Sequence, residues 1–478
     1  MVVYVSATDL RCASPFCSKD FDGERSPADY RLPELNGAIK TASLHPPENG
    51  ISTNHNTLPS LLKACARSGS VKQGRAIRGL SMKMDFQRNP KVAGSLIHMY
   101  CKCGCIDEAR RLFDKIPVRN LVVWSILIDG YAKNGYPGKA VELFRLMVED
   151  DLMPNDVTAI AVLSMCDLKG GRLVHGMVEK LGLSGAVLLG TAVINMYFRC
   201  NDPGSACRVF DCMPEQDHVV WSTMVVGFVL NGLFEEALKY FVEMISLDLK
   251  LEPLGIVNVF KACLAMGDFQ TAEEIHRLLD KKGILMNMNV SSALIDMYMK
   301  FGKFEVACQI FDKMPKKDVV AWTTMVSGFA DWGCSREVLG YFDDMMKASI
   351  NPNEVMLASA LSACAHSGIL GRGVWIHQYI EKKKLGPSVM LANALMDMYA
   401  KCGSIEVAMK LFEGMSVKDI SSWNVIINAL ARHGASRQSL DLFEEMLKYG
   451  IRPNSITFVG ILSACSHGAL MNSGRQYF

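Results

Sequence analysis

LVVWSILIDGYAKNG, residues 121–135, holds the key to the fold. Val123, Leu127 and Tyr131 fall at i, i+4 and i+8, one face of a helix. Gly135 then breaks the pattern at a turn. Downstream, Ala140, Phe144 and Met147 make a second apolar stripe at i, i+4 and i+7, and Pro154 is expected to stop that helix. The stretch therefore predicts the first half of a helical hairpin.

The same stretch recurs at 218, 319 and 420. Its tryptophans, Trp124, Trp221, Trp322 and Trp423, are spaced 97, 101 and 101 residues apart, and a glycine follows each eleven residues later: Gly135, Gly232, Gly333 and Gly434. The second stripe returns as Ala237, Phe241, Met244, then Val338, Phe342, Met345, then Ser439, Phe443, Met446, with Pro352 and Pro453 as stops. Two further blocks fill the period. One begins DVTAIAVLSMC at 156 and recurs at 253, 354 and 455, with an earlier copy at 55. The other begins VLLGTAVINMY at 187 and recurs at 288 and 389, with an earlier copy at 90. Lengths of 35, 35 and 31 give 101. The copy at 156–186 has 31, having lost four residues between Cys166 and His175, which reads as a shortened turn between its two helices. One hairpin cannot bury both its faces, whereas stacked neighbours can, so an all-α solenoid is expected.

Composition agrees with a packed array. The chain has 478 residues, half of them apolar and 21% charged, with a formal charge of +2 that does not by itself announce a nucleic-acid partner. No uninterrupted apolar run approaches the ~20 residues of a membrane span. Sixteen cysteines spread along a chain without a clear signal peptide predict reduced thiols.

The densest cysteine cluster, YCKCGC at 100–105, has counterparts YFRCN at 197, YMKFG at 298 and YAKCG at 399. Cys101 is thus replaced by Phe198, Met299 and Ala400, and the place of Cys103 and Cys402 is Phe301 in another copy. A metal ligand does not exchange with Phe or Ala, so no metal site is expected. His175, His276 and His377 stand 101 apart, too far to converge on an ion.

Blocks of 35 and 31 residues in a fixed triplet resemble the pentatricopeptide repeat family, and more narrowly its plant subclass with alternating P, L and S motifs. VVWSILIDGYAKNGYPGKAVELFRLMVEDDLMPN, ending at 155, is P-like; LASALSACAHSGILGRGVWIHQYIEKKKLGPS, ending at 388, is L-like; ANALMDMYAKCGSIEVAMKLFEGMSVKD, ending at 419, is S-like. The resemblance implies a right-handed superhelix of about 13 motifs. These are 55–89 L, 90–120 S, 121–155 P, 156–186 L, 187–217 S, 218–252 P, 253–287 L, 288–318 S, 319–353 P, 354–388 L, 389–419 S, 420–454 P and a partial L at 455–478.

A competing reading is a tetratricopeptide-type scaffold that binds protein. Its period is uniform, and its groove should carry no regular pair of small polar residues. Here the fifth position of the P and S blocks holds Ser125, Thr191, Ser222, Ser292, Thr323, Asn393 and Asn424, with Gly94 in the first of them. The last position holds Asn120, Asn155, Asp217, Glu252, Asp318, Asn353, Asp419 and Asn454. These side chains are short enough to read a base edge. Capping of the next helix explains the last position in part, but not the fifth. Val122, Val219 and Val320 at the second position would flank a base, and lysines and arginines along the groove would neutralise phosphates.

The resemblance implies single-stranded RNA read one base per repeat. It implies A for Ser125 with Asn155 and for Thr323 with Asn353. It implies G for Thr191 with Asp217 and Ser292 with Asp318, U for Asn393 with Asp419, and a pyrimidine, C before U, for Asn424 with Asn454. Ser222 with Glu252 and Gly94 with Asn120 leave their bases open. Pro59, Ile160, Val257 and Ala358 stand at the fifth position of the L-like blocks and offer no hydrogen bond through a side chain. With RNA parallel to the chain, the implied target is A-N-G-N-N-G-A-N-U-Y.

The subclass often serves organellar C-to-U editing, some members through a C-terminal DYW-type deaminase domain. No histidine here is followed by x-E, no P-C-x-x-C occurs, and no phosphate loop or nucleophile elbow is present, so no enzymatic activity and no cofactor are expected of this chain. A deaminase or editing cofactor protein would act in trans. The chain stops at Phe478 inside a block, as a fragment or a short gene model would. Residues 1–54 lie outside the array and read as a disordered, candidate transit segment, although Asp9, Asp20, Asp22, Glu24 and Asp29 are unusual for one. The family implies mitochondrion or chloroplast, with the mitochondrion slightly favoured.

Overall fold

The computed structural model describes residues 57–470, apart from 85, 87, 88, 184, 185, 284–286, 384 and 387. The expectations for residues 1–54 and for the chain end at 471–478 lie outside the described residues. Among the described residues there are 25 helices and no strand, so the all-α expectation holds.

First helices run, for example, Leu121–Lys133, Pro253–Met266, Val319–Asp331 and Ile420–Arg432. Pro253–Met266 starts on a proline, which gives up no helical N–H there, and the others start on a side-chain cap. Asn120, Asn155, Asp217, Asp318, Asn353, Asp419 and Asn454 sit in extended backbone, and their side chains accept a hydrogen bond from an N–H two or three residues on. Each first helix of the 121, 218, 319 and 420 copies ends at the glycine the pattern requires, with φ of 83° at Gly135, 74° at Gly232, 72° at Gly333 and 76° at Gly434.

Two expectations change. The second helices Pro137–Glu149, Ser335–Lys347 and Ser436–Lys448 end before Pro154, Pro352 and Pro453 are reached. What ends them is a left-handed residue, Asp151 at φ 56°, Ser349 at 57° and Gly450 at 74°, and the proline lies three residues later. The deficit in the block at 156 shortens its first helix rather than the turn. Asp156–Leu163 has 8 residues where Pro253–Met266 and Glu354–Ser367 have 14. The carbonyls freed by the lost turn are covered by Arg199, whose guanidinium donates to Leu163 O at 2.7 Å, to Cys166 O at 2.9 Å and to Ser164 O.

The chain forms two units, Met1–Gln216 and Asp217–Phe478. In each, the first helix of a block packs on the first helix of the next, and the second helix packs on both. The core of the hairpin at 121 holds Ala140, Phe144 and Met147, all fully buried. Aromatic edges join successive blocks: Phe113 meets Trp124 at 4.7 Å in the first unit, and Phe311 meets Trp322 at 4.8 Å in the second. Truncating such a ring to Ala costs about 3–5 kcal/mol. The solenoid expectation is met in both units.

Candidate nucleic-acid interface

With Trp124, Trp221, Trp322 and Trp423 turned inward, the residue after each lies about 100° further round its helix. Trp322 is 6% exposed, and Thr323 reaches the edge of a groove of about 550 Å³ lined by Val320, Asn353, Lys300 and Trp332 among others. A second groove, about 490 Å³, is lined by Asn424, Lys401, Arg432 and Ile456. In the first unit a groove of about 450 Å³ lies along Lys63, Lys91, Gly94 and Val122.

The structure brings several fifth and last positions together. Asn424 Nδ2 donates to Asn454 Oδ1 at 3.1 Å. Asn393 Nδ2 donates to Asp419 Oδ1 at 3.4 Å. Ser125 Oγ lies 2.5 Å from Thr158 Oγ1, which donates to Asn155 Oδ1 at 2.7 Å, so a hydroxyl bridges the pair. Thr323 donates to Val319 O at 2.6 Å and borders the same groove as Asn353. Burial works to raise the Asp419 pKa, but the Ser422 N–H and hydroxyl and the Asn393 amide outweigh it and hold the carboxyl below its ordinary value. This carboxylate is an acceptor at neutral pH.

Other positions are not paired. Glu252 is taken by His218 Nε2 at 3.3 Å and Lys250 Nζ at 3.0 Å, while Ser222 Oγ is buried without a hydrogen-bond partner. Gly94 offers no side chain, and a Cβ there would meet Ile126 at 3.6 Å, while Asn120 caps the following helix through Val123 N at 3.1 Å. Ser292 is buried in its helix, with Asp318 capping the next through Ala321 N at 2.9 Å. Thr191 donates to Val187 O at 2.7 Å, and Asp217 caps through Val219 and Val220 N, both at 3.0 Å.

Capping and presentation turn out to be one arrangement. The cap occupies Oδ1 of every last-position side chain except Glu252, which makes no cap. An Asn is left with its Nδ2 donor, and an Asp with its second carboxylate oxygen, an acceptor.

Two rows escaped the reading of the sequence as a whole. The second position is also apolar and exposed at Val157, Leu188, Leu254, Val355, Met390 and Ile456, whereas Lys91, Asn289 and Ser421 stand there in the copies at 90, 288 and 420. The thirteenth position, in the last turn of the first helix, is basic at Arg67, Lys102, Lys133, Arg199, Lys300, Lys401 and Arg432. Both were available from the same periodicity that located the fifth position.

The cysteine cluster has a packing role. Cys101 is 6% exposed, and burial pushes its thiol up to about 12. Among the described residues no three ligand-type side chains converge as a metal site would require.

These features define a class: a helical-repeat protein whose first helices reuse the second, fifth and thirteenth positions, in many copies for an apolar, a polar and a basic residue. Residues 93–121, 122–152, 191–218, 219–249, 290–319, 320–350 and 391–420 match the PPR repeat, residues 340–402 the pentatricopeptide repeat domain, and 418–467 the PPR repeat family. The chain belongs to the pentatricopeptide repeat family. It is 33% identical over 422 residues to pentatricopeptide repeat-containing protein At1g11290, chloroplastic, of Arabidopsis thaliana, covering 87% of this chain and 52% of that protein. It is 36% identical over 425 residues to At2g03380, mitochondrial, of the same plant, covering 87% and 61%. The chain thus spans about half to three fifths of the length of these relatives. The fold is that of PPR10 from maize, at a TM-score of 0.61, 20% identity and coverage of 93% of this chain and 70% of that one. PPR10 in complex with an 18-nt psaJ RNA element aligns at 0.67 with 14% identity, covering 94% and 71%.

Proposed function

We propose that this chain binds single-stranded RNA sequence-specifically, one base per repeat, as a site-recognition factor of the alternating P, L and S subclass. The observation that carries the proposal is the atom each capped side chain leaves free. Adenine N1 and cytosine N3 are acceptors and suit the Nδ2 donor of Asn155, Asn353 and Asn454. Guanine N1–H and uracil N3–H are donors and suit the free oxygen of Asp217, Asp318 and Asp419. This division agrees with the bases the family implies, for a target of A-N-G-N-N-G-A-N-U-Y. The exposed apolar residues at the second position would wall the bases, and the basic row, apart from Arg199 with its guanidinium held by backbone carbonyls, would follow the phosphates.

The setting is an organelle, as in the names of relatives called chloroplastic or mitochondrial. The task is C-to-U editing, with the deaminase supplied in trans. Filter binding tests the core of this reading. RNA of the proposed sequence should bind more tightly than a scrambled RNA of the same composition, and its affinity should fall with salt. Equal affinity for the two, or none, refutes it. The purified chain should leave an unedited cytidine unchanged, and conversion by the chain alone would overturn the division of labour.

A further inference from the structure

Three polar pairs share a feature that neither of their own two positions supplies. The third residue of the following block carries a hydroxyl, and that hydroxyl is buried against the pair. Thr158, Ser422 and Thr457 are 1%, 0% and 0% exposed. Thr158 Oγ1 donates to Asn155 Oδ1 at 2.7 Å, Ser422 Oγ to Asp419 Oδ1 at 2.9 Å, and Thr457 Oγ1 lies 3.1 Å from Asn454 Oδ1. Two of them reach the fifth position too. Thr457 Oγ1 donates to Asn424 Oδ1 at 2.6 Å, and Thr158 Oγ1 touches Ser125 Oγ at 2.5 Å. In other blocks the same place holds Gly255, Ala321 and Met356, which have no hydroxyl.

The bonds fix polarity. Thr457 has one proton, and its shorter contact is with Asn424 Oδ1. That oxygen is therefore held inward, and the Asn424 amide N–H2 turns to Asn454 and the groove. An amide can otherwise flip, exchanging donor for acceptor at little cost in shape. A flipped Asn424 would set its oxygen toward Asn454 Oδ1 and present the opposite pattern. In the other trio Thr158 gives its proton to Asn155 Oδ1, and Ser125 has one proton for two inward acceptors, Thr158 Oγ1 and Leu121 O at 2.8 Å. Ser125 then faces the groove as an acceptor, and Asn155 as a donor. That pattern matches the N6–H2 and N1 of adenine.

We infer that the buried hydroxyl at the third position of the following block is a positioning residue for base discrimination, holding the donor and acceptor atoms of the preceding polar pair in one orientation. The inference rests on the proposed base reading and adds a third determinant to it. Repeats with the hydroxyl discriminate sharply. The Thr323 and Asn353 repeat, followed by Met356, discriminates less.

The test measures a ratio rather than an affinity. The whole chain is titrated against the ten-nucleotide RNA with C, U, A or G at its last position, opposite Asn424 and Asn454. Wild type should prefer a pyrimidine over a purine by about tenfold, the scale of one mismatched base. Thr457→Val keeps the shape and removes the hydroxyl, and should bring that ratio to within about threefold of unity while discrimination at the other bases stays as it was. Thr457→Ser should restore it. A loss of packing alone would lower affinity for all four RNAs together and leave the ratio intact. Thr158→Val provides the independent case in the other unit, where the preference for A at the first base should fall in the same way. Thermal melting confirms that each variant is folded, and the Thr158 result decides if Thr457→Val is not. A folded variant that keeps the wild-type ratio at its own base overturns the inference and leaves base reading standing. A wild-type chain without preference at either base refutes base reading itself, and this role with it.

Discussion

His276 Nδ1 lies 2.7 Å from the hydroxyl of Tyr298, across the junction between the block at 253 and the block at 288. The bond repeats as His175 with Tyr197 at 3.0 Å and His377 with Tyr399 at 2.9 Å. The periodic histidines and the tyrosines of the YCKCG series, read separately in the sequence, are two ends of one contact. Burial lowers the pKa of His175 and His276 below the ordinary 6.5, with nearby carboxylates, Glu179 for the first and Asp280 and Glu273 for the second, opposing it. Burial at these two positions therefore favours the neutral ring.

The pH dependence follows in sign. The unfolded chain takes up these protons near pH 6.5, before the folded chain does, so it binds more protons as pH falls below that value. The stability held by these rings is fully present above about pH 6.5 and is lost as pH falls through the lower folded values. Thermal melting at pH 7.5 and 5.5 should give a lower Tm at the acid pH. His276→Gln should reduce the difference between the two, and an unchanged difference would remove His276 from the account.

The first junction lacks the histidine. Arg78 occupies the equivalent position, and Tyr100 OH is buried without a hydrogen-bond partner. Arg78→His should supply the bond and stabilise the first unit by about 1 kcal/mol, the net worth of one such bond. Denaturant titration checks this, and Tyr100→Phe in the same background should cancel the gain.

Cys101 faces Gly130 so closely that a Cβ on the glycine would collide with its Sγ and stand 2.8 Å from its Cβ. At the equivalent contact Met299 faces Gly328, where an added Cβ would meet Met299 Cγ at 2.7 Å. Where the cysteine's place is Ala400, the glycine's place is Ala429. Gly130→Ala alone should cost about 1–3 kcal/mol from overpacking. Adding Cys101→Ala should recover most of that loss, copying the alanine pair, and Cys101→Ala alone should leave RNA affinity nearly unchanged. If the double variant is no more stable than Gly130→Ala, the contact is not what sets the cysteine.

The fold was legible because helical periodicity and a 101-residue repeat depend only on residue type and spacing. The polar pairs were legible as positions, since Ser125 or Asn393 inside an otherwise apolar helix face stands out against its neighbours. What joins them was not. Thr158 and Thr457 look like ordinary first-turn hydroxyls, and only the packing of one first helix on the next carries them under the preceding pair. The histidine contact was hidden for the same reason, because its partners lie 22 residues apart in different blocks. The shortened block misled in the other direction. A gap placed between Cys166 and His175 reads as a lost turn, while the backbone gave up helix and Arg199 covered its carbonyls.

The sharpest consequence concerns Thr323 and Asn353, which border one groove with Val320. Asn353 Oδ1 is held by Met356 N at 2.9 Å, so its Nδ2 is the atom left for a base, which suits adenine N1. Thr323→Asn with Asn353→Asp copies the pair at Asn393 and Asp419, proposed to read U. An aspartate in that place keeps the cap and exchanges the free donor for an acceptor, which suits uracil N3–H. Thr323 is half-buried and Asn353 exposed, and both changes keep polar side chains, so stability should move by about 0.5 kcal/mol or less. The double variant should lose affinity for RNA with A at that position by about fivefold, the low end for one mismatched base, and gain a similar factor for RNA with U there, with every other base unchanged. Asn353→Asp alone should already remove the preference for A, because the atom it alters is the one proposed to face the ring nitrogen. Titration of the four single-base RNAs against wild type and both variants decides it. Equal loss for all four RNAs, or no change in any, would mean that this pair does not read the base.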